Sequence, residues 1–265
     1  MDTKPTVVRA VHANRGIAAL YHRRMMALID EMDASILHWI SATYRQAPPL
    51  LAQDASPDWE YSFDDLGKRW IKRFEDAAPK IAEAYLKGQF KATDSAMRQA
   101  LKDAGWTVKF EMTPVMREAY EASLAENIGL IRSIPQQYLQ QVEGIAMRSY
   151  TAGRDLQQMV TALKRLYPRA ANRAVLISLD QSNKANAVVT QARQTELGIV
   201  ESVWMHSHAG KTPRPTHVAM NGKTYKVAQG MWDSDEKKWI FPGELINCRC
   251  TGRSVIPAFA ARSAK

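Results

Sequence analysis

The sequence is poor in cysteine and has no long apolar run. Only two of its 265 residues are cysteine, which argues against a secreted domain held together by disulfides. No stretch approaches the roughly 18 apolar residues that a membrane-spanning helix needs. The N-terminus also lacks the apolar segment of a signal peptide. We therefore expect a protein that folds in a reducing cytoplasm, or in a particle assembled there, and that has no membrane partner.

The short signatures of several enzyme classes are also missing. The sequence contains no nucleophile elbow, no glycine-rich phosphate loop, no HExxH motif and no paired-carboxylate pattern. Each of these motifs places a nucleophile, a phosphate or a metal next to the groups that activate it. Their absence predicts a protein that is not an enzyme and assigns no catalytic residue.

Positive charge is in excess but is not concentrated in one block. Lysine and arginine number 36 against 27 acidic residues, for a net charge of +9. The basic residues recur along the chain, for example in residues 9–15, 67–74 and 163–173. A scattered positive field attracts polyanions such as nucleic acid without specifying a partner, and it is equally typical of solvated helix faces.

The composition changes near residue 200. Residues 201–265 hold five of the 13 glycines, three of the seven tryptophans, three of the six histidines and both cysteines. The first 200 residues are instead rich in alanine, leucine, glutamine, arginine and glutamate. This contrast predicts an α+β protein, with an elongated helical body over residues 1–197 and a small β-rich unit with a flexible end over residues 198–265.

Apolar residues at helical spacing predict several helices in the body. The clearest stripe runs through residues 10–46 and stops before Pro48. Pro79 is expected to break or kink the second helix, and Pro135 is expected to begin a new one. Further helices are expected over residues 93–104, 155–166 and 168–197, and strands over residues 198–207, 221–228, 237–243 and 251–259.

Side chains that could do chemistry are concentrated in residues 206–217. This segment and the two cysteines fall in the same predicted unit, so their side chains could converge. Three interpretations are open from the residues alone: a structural metal site, acid–base catalysis, or packing of a small unit. The residues concerned are His206, His208, Lys211, Arg214, His217, Cys248 and Cys250.

A structural zinc ion is the first interpretation. Two thiolates with one or two imidazoles supply the tetrahedral donor set that zinc prefers, and a small unit would gain stability from it. Two cysteines separated by a single residue are less common in zinc sites than wider spacings. The candidate ligands are His217, Cys248, Cys250 and His208.

Acid–base catalysis is the second interpretation. Histidines close to lysine and arginine are the groups that a metal-free ribonuclease or phosphotransferase uses. The alternative function is therefore a nucleic-acid-cleaving enzyme that uses His206, His208 and His217, with Lys211 nearby.

Packing alone is the third interpretation. Histidines and cysteines of a small β unit can satisfy each other's hydrogen bonds. Arg214 and Arg249 would then pair with the loop carboxylates of Asp233, Asp235 or Glu244, with Arg249 facing away from the two cysteines. Trp204, Trp232 and Trp239 would form the core of the unit.

A pattern of ten residues between positions 204 and 250 has a known counterpart. After Trp204 come the segments HSHAGKTPRPTHVAMNGKTY and GMWDSDEKKWIFPGELINCRC. This stretch resembles the phage head morphogenesis family, the Mu protein F-like minor head proteins. Residues 126–143 and 173–199 look like the helical part that precedes the motif in that family. The ten residues are Trp204, Arg214, His217, Gly222, Pro242, Gly243, Asn247, Cys248, Arg249 and Cys250.

One segment departs from the family pattern. Many relatives carry an acidic residue and a second arginine just before the arginine that corresponds to Arg214, whereas this chain has AGKTP at residues 209–213. A contact that depends on that acidic residue is therefore not carried over to this chain.

The resemblance implies a structural role. Members of the family are minor, low-copy components of tailed-phage heads, associated with the portal vertex, with head assembly and with the DNA inside. It implies a virion protein assembled in the host cytoplasm, with the portal protein, the major capsid protein and packaged double-stranded DNA as partners. No cofactor is expected apart from the structural zinc considered above.

Overall fold

The computed structural model describes residues 5–46, 57–151, 156–208 and 212–256, and within them it contains six helices and six strands. The long helices lie in the N-terminal part and a small antiparallel sheet lies at the C-terminus, which confirms the predicted α+β class. The helices are α1 (Arg15–Gln46), α2 (Pro57–Asp103), α3 (Pro114–Thr151), α4 (Leu156–Lys164), α5 (Tyr167–Glu196) and α6 (Pro215–Met220). The strands are β1 (Thr6–Val7), β2 (Glu201–Met205), β3 (Thr224–Lys226), β4 (Met231–Asp233), β5 (Lys238–Ile240) and β6 (Thr251–Ile256).

The two internal prolines do not divide the helices: Pro79 does not break α2, and the prediction that Pro135 begins a new helix is wrong. Pro79 lies inside α2 and Pro135 inside α3. A proline in a helix interior costs about 3 kcal/mol, whereas full burial of one large apolar side chain contributes about 1.5–3 kcal/mol. The side chains around Pro79 are almost completely buried, so their packing outweighs the lost hydrogen bond. They are Phe74, Ala78, Ala82 and Tyr85.

Packing divides the chain into two compact units. One comprises Met1–Ala18, Tyr85–Ser123 and Leu179–Lys265, and the other comprises Ala19–Ala84 and Leu124–Ser178. The first unit thus combines the sheet with parts of the long helices. The predicted boundary between residues 197 and 198 lies just after the end of α5 at Glu196. As a boundary between domains it stays a prediction.

Most of α1 lies in the second unit. Its side chains at helical spacing are buried, as the stripe in residues 10–46 predicts, whereas Leu20 is 42% exposed. The Tyr21 hydroxyl donates to Asn127 Oδ1 at 2.9 Å, so a buried polar group of α1 is satisfied by α3. Pro48 lies outside the described residues. The buried stripe consists of Tyr21, Met25, Leu28, Ile29, Met32, Ile36 and Ile40.

The sheet unit contains a four-stranded sheet and a separate hairpin. The strand order is β1-β6-β2-β3 with all neighbours antiparallel, and β4 pairs with β5. β2, β3, β5 and β6 fall inside the four predicted strands, while β1 and β4 were not predicted. Residues 257–259 of the last predicted strand lie outside the described residues.

β1, near the N-terminus, forms an edge strand of the sheet beside β6. Thr6 pairs with Ile256 and Val7 with Val255, and the Arg253 Nε donates to the Val8 carbonyl at 3.0 Å. A two-residue strand has too few residues to show an alternating pattern, which is why the sequence contained no signal for it.

None of the helices in the described part of the chain is apolar enough over a sufficient length to cross a membrane.

Candidate functional site

Three buried side chains converge at the edge of the sheet unit: His217, Cys248 and Cys250. Their Nδ1 or Nε2 and Sγ atoms all lie within 4.8 Å of one another. The His217 Nδ1 is 3.4 Å from the Cys248 Sγ and 3.7 Å from the Cys250 Sγ. We refer to these three residues as the thiol–imidazole cluster.

His217 is placed by the shortest helix of the unit. Pro215 occupies the first turn of α6, where its missing N–H costs no hydrogen bond. The Asn221 Oδ1 at the other end accepts from the His206 backbone N–H at 2.9 Å, so α6 is tied to the end of β2. His217 is only 2% exposed, and its ring meets the Trp204 ring edge-on, with 5.3 Å between the ring centroids.

The two cysteines are placed by a turn that precedes β6. The Cys248 N–H donates to the Leu245 carbonyl at 2.9 Å, and Asn247 adopts a φ of +61°. Burial then alternates, with Cys248 and Cys250 buried and Arg249 exposed between them. The strand β6 begins only at Thr251, one residue after Cys250. The carboxylate partner expected for Arg249 stays a prediction.

An aspartate on α5 anchors this turn. The Asn247 backbone N–H donates to the Asp180 Oδ1 at 2.6 Å. Asp180 is also 3.4 Å from the Lys184 ammonium, one helical turn further along α5. Asn247, whose left-handed conformation positions Cys248, is therefore held by a charge-assisted hydrogen bond to the buried Asp180 carboxylate.

The opposite side of the histidine faces another buried carboxylate. The His217 Nε2 lies 3.3 Å from the Asp233 Oδ2, although the contact is not aligned as a hydrogen bond. Asp233 is fully buried and accepts hydrogen bonds from the Thr216 hydroxyl at 3.1 Å and the Asp235 N–H at 2.9 Å. Burial would raise the pKa of the Asp233 carboxyl, but these hydrogen bonds and that from the Glu236 N–H lower it overall, so Asp233 is ionised.

The two thiols are electrostatically different. A hydrogen bond from Cys250 lowers the pKa of Cys248 to about 4, against the opposing effect of burial, with further help from His217 and the Gly243 N–H. The same thiol–thiolate contact, together with burial, raises the pKa of Cys250. These opposite shifts favour a thiolate at Cys248 and a protonated thiol at Cys250.

The other histidines do not join the cluster. His208 is exposed, has a φ of +51°, and lies outside the group of converging ligand atoms. The rings of His206 and His208 contact each other, with 4.5 Å between centroids. Lys211, which was expected near the three histidines of the alternative catalytic set, lies outside the described residues, as do Ala209 and Gly210.

Arg214 braces the loop of the cysteines through a carbonyl. Its Nη1 donates to the Ile246 carbonyl at 3.1 Å, two residues before Cys248. The predicted bracing role thus involves a backbone oxygen, where the sequence suggested a loop carboxylate.

A cavity of about 330 Å³ opens beside the thiol–imidazole cluster. All three residues of the cluster line it, together with His206, Arg214 and Arg249 among others. Nearby cationic groups make such a space favourable for an anion or a polar ligand. Burial and the neighbouring His208 and His217 lower the pKa of His206, which favours its neutral form.

The three tryptophans of the unit have different environments. Trp204 is fully buried, but Trp232 and Trp239 are 51% and 47% exposed, so the prediction of a core built from all three is wrong. Trp232 and Trp239 are cross-strand neighbours in the β4–β5 hairpin and contact each other at 5.8 Å between ring centroids. The residues that follow them in sequence, Asp233 and Ile240, occupy the buried face of the hairpin because neighbouring residues in a strand point to opposite sides.

Gly243 and Gly222 of the sequence motif both adopt left-handed conformations. Their φ angles are +90° and +77°. A Cβ at residue 222 would meet nothing within 4 Å, whereas at residue 243 it would lie 3.0 Å from the Ala187 Cβ and 3.3 Å from the Asn183 carbonyl oxygen. A side chain at residue 243 would therefore require the turn or α5 to shift by a few tenths of an ångström.

Gly243→Ala should destabilise the sheet unit more than Gly222→Ala. Left-handed alanine costs about 1–2 kcal/mol at either position, and the close approach to α5 adds a steric cost only at residue 243. The free energy of opening of the β6 amides, measured by hydrogen exchange, would give both losses. Equal losses at the two positions would show that the contact with α5 does not constrain this turn.

Sequence reasoning considered Asp233 only as a possible partner of an arginine, and it missed Asp180 as a support of the cysteine turn. The signal for Asp233 was local, because Asp-Ser-Asp-Glu at residues 233–236 can place backbone N–H groups on the first carboxylate. Asp180 had no such signal, since its partner Asn247 is 67 residues away in the sequence.

The chemistry available to the cluster is of two kinds. Two sulfur atoms and one imidazole nitrogen could bind a soft divalent cation. A thiolate, an imidazole and a carboxylate in line could also form a nucleophile with its base and orienting group. Packing alone requires neither a bound cation nor a nucleophile, but it gives the second thiol no distinct role.

Part of the chain is similar to known proteins. Residues 140–253 match the family model of phage Mu protein F like protein, which confirms the predicted resemblance. An uncharacterized protein of Haemophilus influenzae is 35% identical over 138 residues, which are 52% of this chain and 30% of that protein. The match thus spans less than a third of that relative. No solved structure is significantly similar to the chain.

Proposed function

We propose that the chain is a minor head protein of a tailed bacteriophage, because residues 140–253 match the family model of phage Mu protein F like protein. The family match is the observation that carries this proposal, since the matched stretch contains the whole thiol–imidazole cluster and the carboxylates that support it. In this role the chain is a low-copy component of the virion that associates with the portal protein and the inner face of the capsid.

The character of the site supports a structural role in place of turnover. All three residues of the cluster are at most 5% exposed, and Asp180 and Asp233 are buried as well. Arg214 and Asp180 hold the backbone around the cysteines from two sides. Polar contacts that hold the backbone from two sides make one loop arrangement more stable than others, which a docking surface requires.

The charge of the chain supports contact with packaged DNA. Basic residues outnumber acidic ones by nine, and those of the helices include many that are exposed. Each phosphate that a lysine or arginine neutralises releases a counterion and adds to the affinity. Binding of this kind is insensitive to sequence and weakens steeply with salt.

Virion analysis tests the proposal directly. In the phage that encodes this chain, gradient-purified virions should contain it at a small copy number relative to the major capsid protein, as measured by quantitative mass spectrometry. It should also be captured with tagged portal protein from lysates treated with nuclease, so that DNA cannot bridge the two. An abundant host protein measured in the same fractions is the control for contamination. Recovery only in the particle-free fraction would contradict the proposal.

One assay distinguishes the proposed head function from the alternative function, which is cleavage of nucleic acid by His206, His208 and His217. Purified protein is incubated with RNA and with DNA, with and without chelator, beside His217→Ala. Cleavage that the substitution abolishes would favour the enzyme, whereas intact substrate together with virion recovery supports the head protein.

A further inference from the structure

The thiol–imidazole cluster has the dimensions of a metal site. We propose that His217, Cys248 and Cys250 bind one zinc ion, and that its fourth coordination position opens onto the adjacent cavity. With Zn–S near 2.3 Å and Zn–N near 2.05 Å, a tetrahedral angle separates sulfur from nitrogen by about 3.6 Å. The observed distances from the His217 Nδ1 are 3.4 Å to Cys248 and 3.7 Å to Cys250.

Hydrogen bonding accounts for only part of this arrangement, because the Cys250 thiol can donate to Cys248 but its contact with the His217 Nδ1 is then left over. A neutral imidazole presents one lone pair in the plane of its ring, so only one thiol can donate to the Nδ1 of His217 with good geometry. Both sulfur atoms nevertheless lie close to that nitrogen, and both are buried. A cation among the three atoms satisfies them together, because each of them directs a lone pair at it.

The surroundings of the cluster are those of metal ligands. A histidine that binds a metal through one ring nitrogen usually presents the other to a carboxylate, which fixes the tautomer and raises the basicity of the ring. The His217 Nε2 faces the Asp233 Oδ2 at 3.3 Å, and Asp233 is itself held by Thr216 and by backbone N–H groups. The Gly243 N–H donates to the Cys248 Sγ at 3.4 Å, which stabilises negative charge on that sulfur.

The fourth position is not supplied by a protein side chain of the described residues. His206 and His208 are both described, and neither belongs to the converging group. The cavity lined by the cluster provides room for a water molecule or a small anion at the metal, next to Arg214 and Arg249. Three protein ligands with one open position is an arrangement that zinc adopts where it binds an exogenous ligand.

Metal content tests the ligand set. Full-length protein loaded with zinc and dialysed should retain about one ion per chain, measured by elemental analysis. His217→Ala and Cys250→Ser should each lose it, whereas His208→Ala, which removes an exposed histidine outside the cluster, should retain it. Because the first two variants could fail to fold, chelated wild-type protein is also titrated with cobalt. Thiolate-to-cobalt charge transfer supports the proposal, and its absence together with absent zinc overturns it.

The effect of Asp233 on zinc affinity provides a second test. Asp233→Asn should weaken zinc binding by about 10–100-fold through loss of the charged partner of His217. Asp235→Asn changes an exposed carboxylate two residues away and is the matched control. The affinity is measured by competition with a chromophoric chelator. Unchanged affinity in Asp233→Asn would overturn the assignment of Asp233 as a positioning residue for the metal ligand.

The open position is tested in the cobalt-loaded protein. Added azide should change the d–d absorption bands, and His206→Ala should retain the metal and the response. A spectrum that azide leaves unchanged, or loss of the metal in His206→Ala, would overturn the open fourth position.

Alkylation distinguishes a metal site from a reactive thiol. Zinc-loaded protein should react with iodoacetamide at least about tenfold more slowly than chelated protein, because both sulfur atoms are engaged by the ion. Fast alkylation of Cys248 that zinc does not slow, in protein that retains no metal, would overturn the proposal in favour of a Cys–His–Asp nucleophile. Virion recovery is independent of these readouts, so a failed metal test leaves the proposed head function standing.

Discussion

Trp204→Ala should lower the free energy of unfolding of the sheet unit by about 3–5 kcal/mol. Trp204 is fully buried on β2, where it packs against Met220, Tyr225 and Ile240 and against both cysteines. Truncation removes the largest side chain of this cluster and leaves a cavity beside His217, which the short strands cannot fill by moving.

The loss in Trp204→Ala would be measured by hydrogen exchange of the β2 and β6 amides, with metal content held equal. Trp239→Ala is the matched control, because Trp239 is 47% exposed and its main partner is the Trp232 ring. Loss of that aromatic pair should cost only about 0.5–1.5 kcal/mol. Equal losses for the two tryptophans would show that Trp204 is not the centre of the core.

Arg193→Met should cost about 3–5 kcal/mol, since it leaves a carboxylate without its cation in a largely buried setting. Arg193 is 2% exposed, and its guanidinium donates to both oxygens of Asp94 at 2.9 and 2.8 Å. It also donates to Glu196 and to the Glu111 carbonyl, each at 2.7 Å, and lies 4.6 Å from the centroid of the Phe110 ring. One side chain thus joins α5, α2 and the segment before α3.

Arg9→Ala is the control for the loss of an arginine–aspartate pair. Arg9 lies 3.2 Å from Asp103, but both side chains are more than half exposed, so the pair should contribute only about 0–1 kcal/mol. Arg193→Lys should recover little of the loss in Arg193→Met, because an ammonium cannot form the two parallel bonds to Asp94. Urea unfolding followed by circular dichroism would measure these variants. A loss in Arg193→Met as small as that in Arg9→Ala would contradict the structural role of Arg193.

Local patterns predicted much of the secondary structure. The stripe in residues 10–46 became α1, and the β-prone stretch from residue 198 contains β2, because both patterns depend only on which residues alternate along a few turns or pleats. The same local reasoning failed at Pro79, where buried neighbours along α2 compensate for the broken hydrogen-bond pattern.

The sequence also showed which residue types could supply ligand atoms at the site. It did not show which of the three histidines would join the two cysteines. His206, His208 and His217 were equivalent candidates, and only the fold buries the last beside the thiols while the first two contact each other at the surface. The difference arises from α6, which turns His217 inward, and it could not be read from spacing because all three lie within 12 residues.

The sequence by itself determined the class of the fold, the inventory of sulfur and nitrogen donors, and the family motif, since all of these depend on residue types and short spacings. Only the tertiary structure decided that Asp233 faces His217, that Asp180 anchors Asn247, and that β1 completes the sheet beside β6. These contacts join positions 16 to 250 residues apart, and the free energy that selects them comes from burial and hydrogen bonding of the assembled unit. No local segment contains that information.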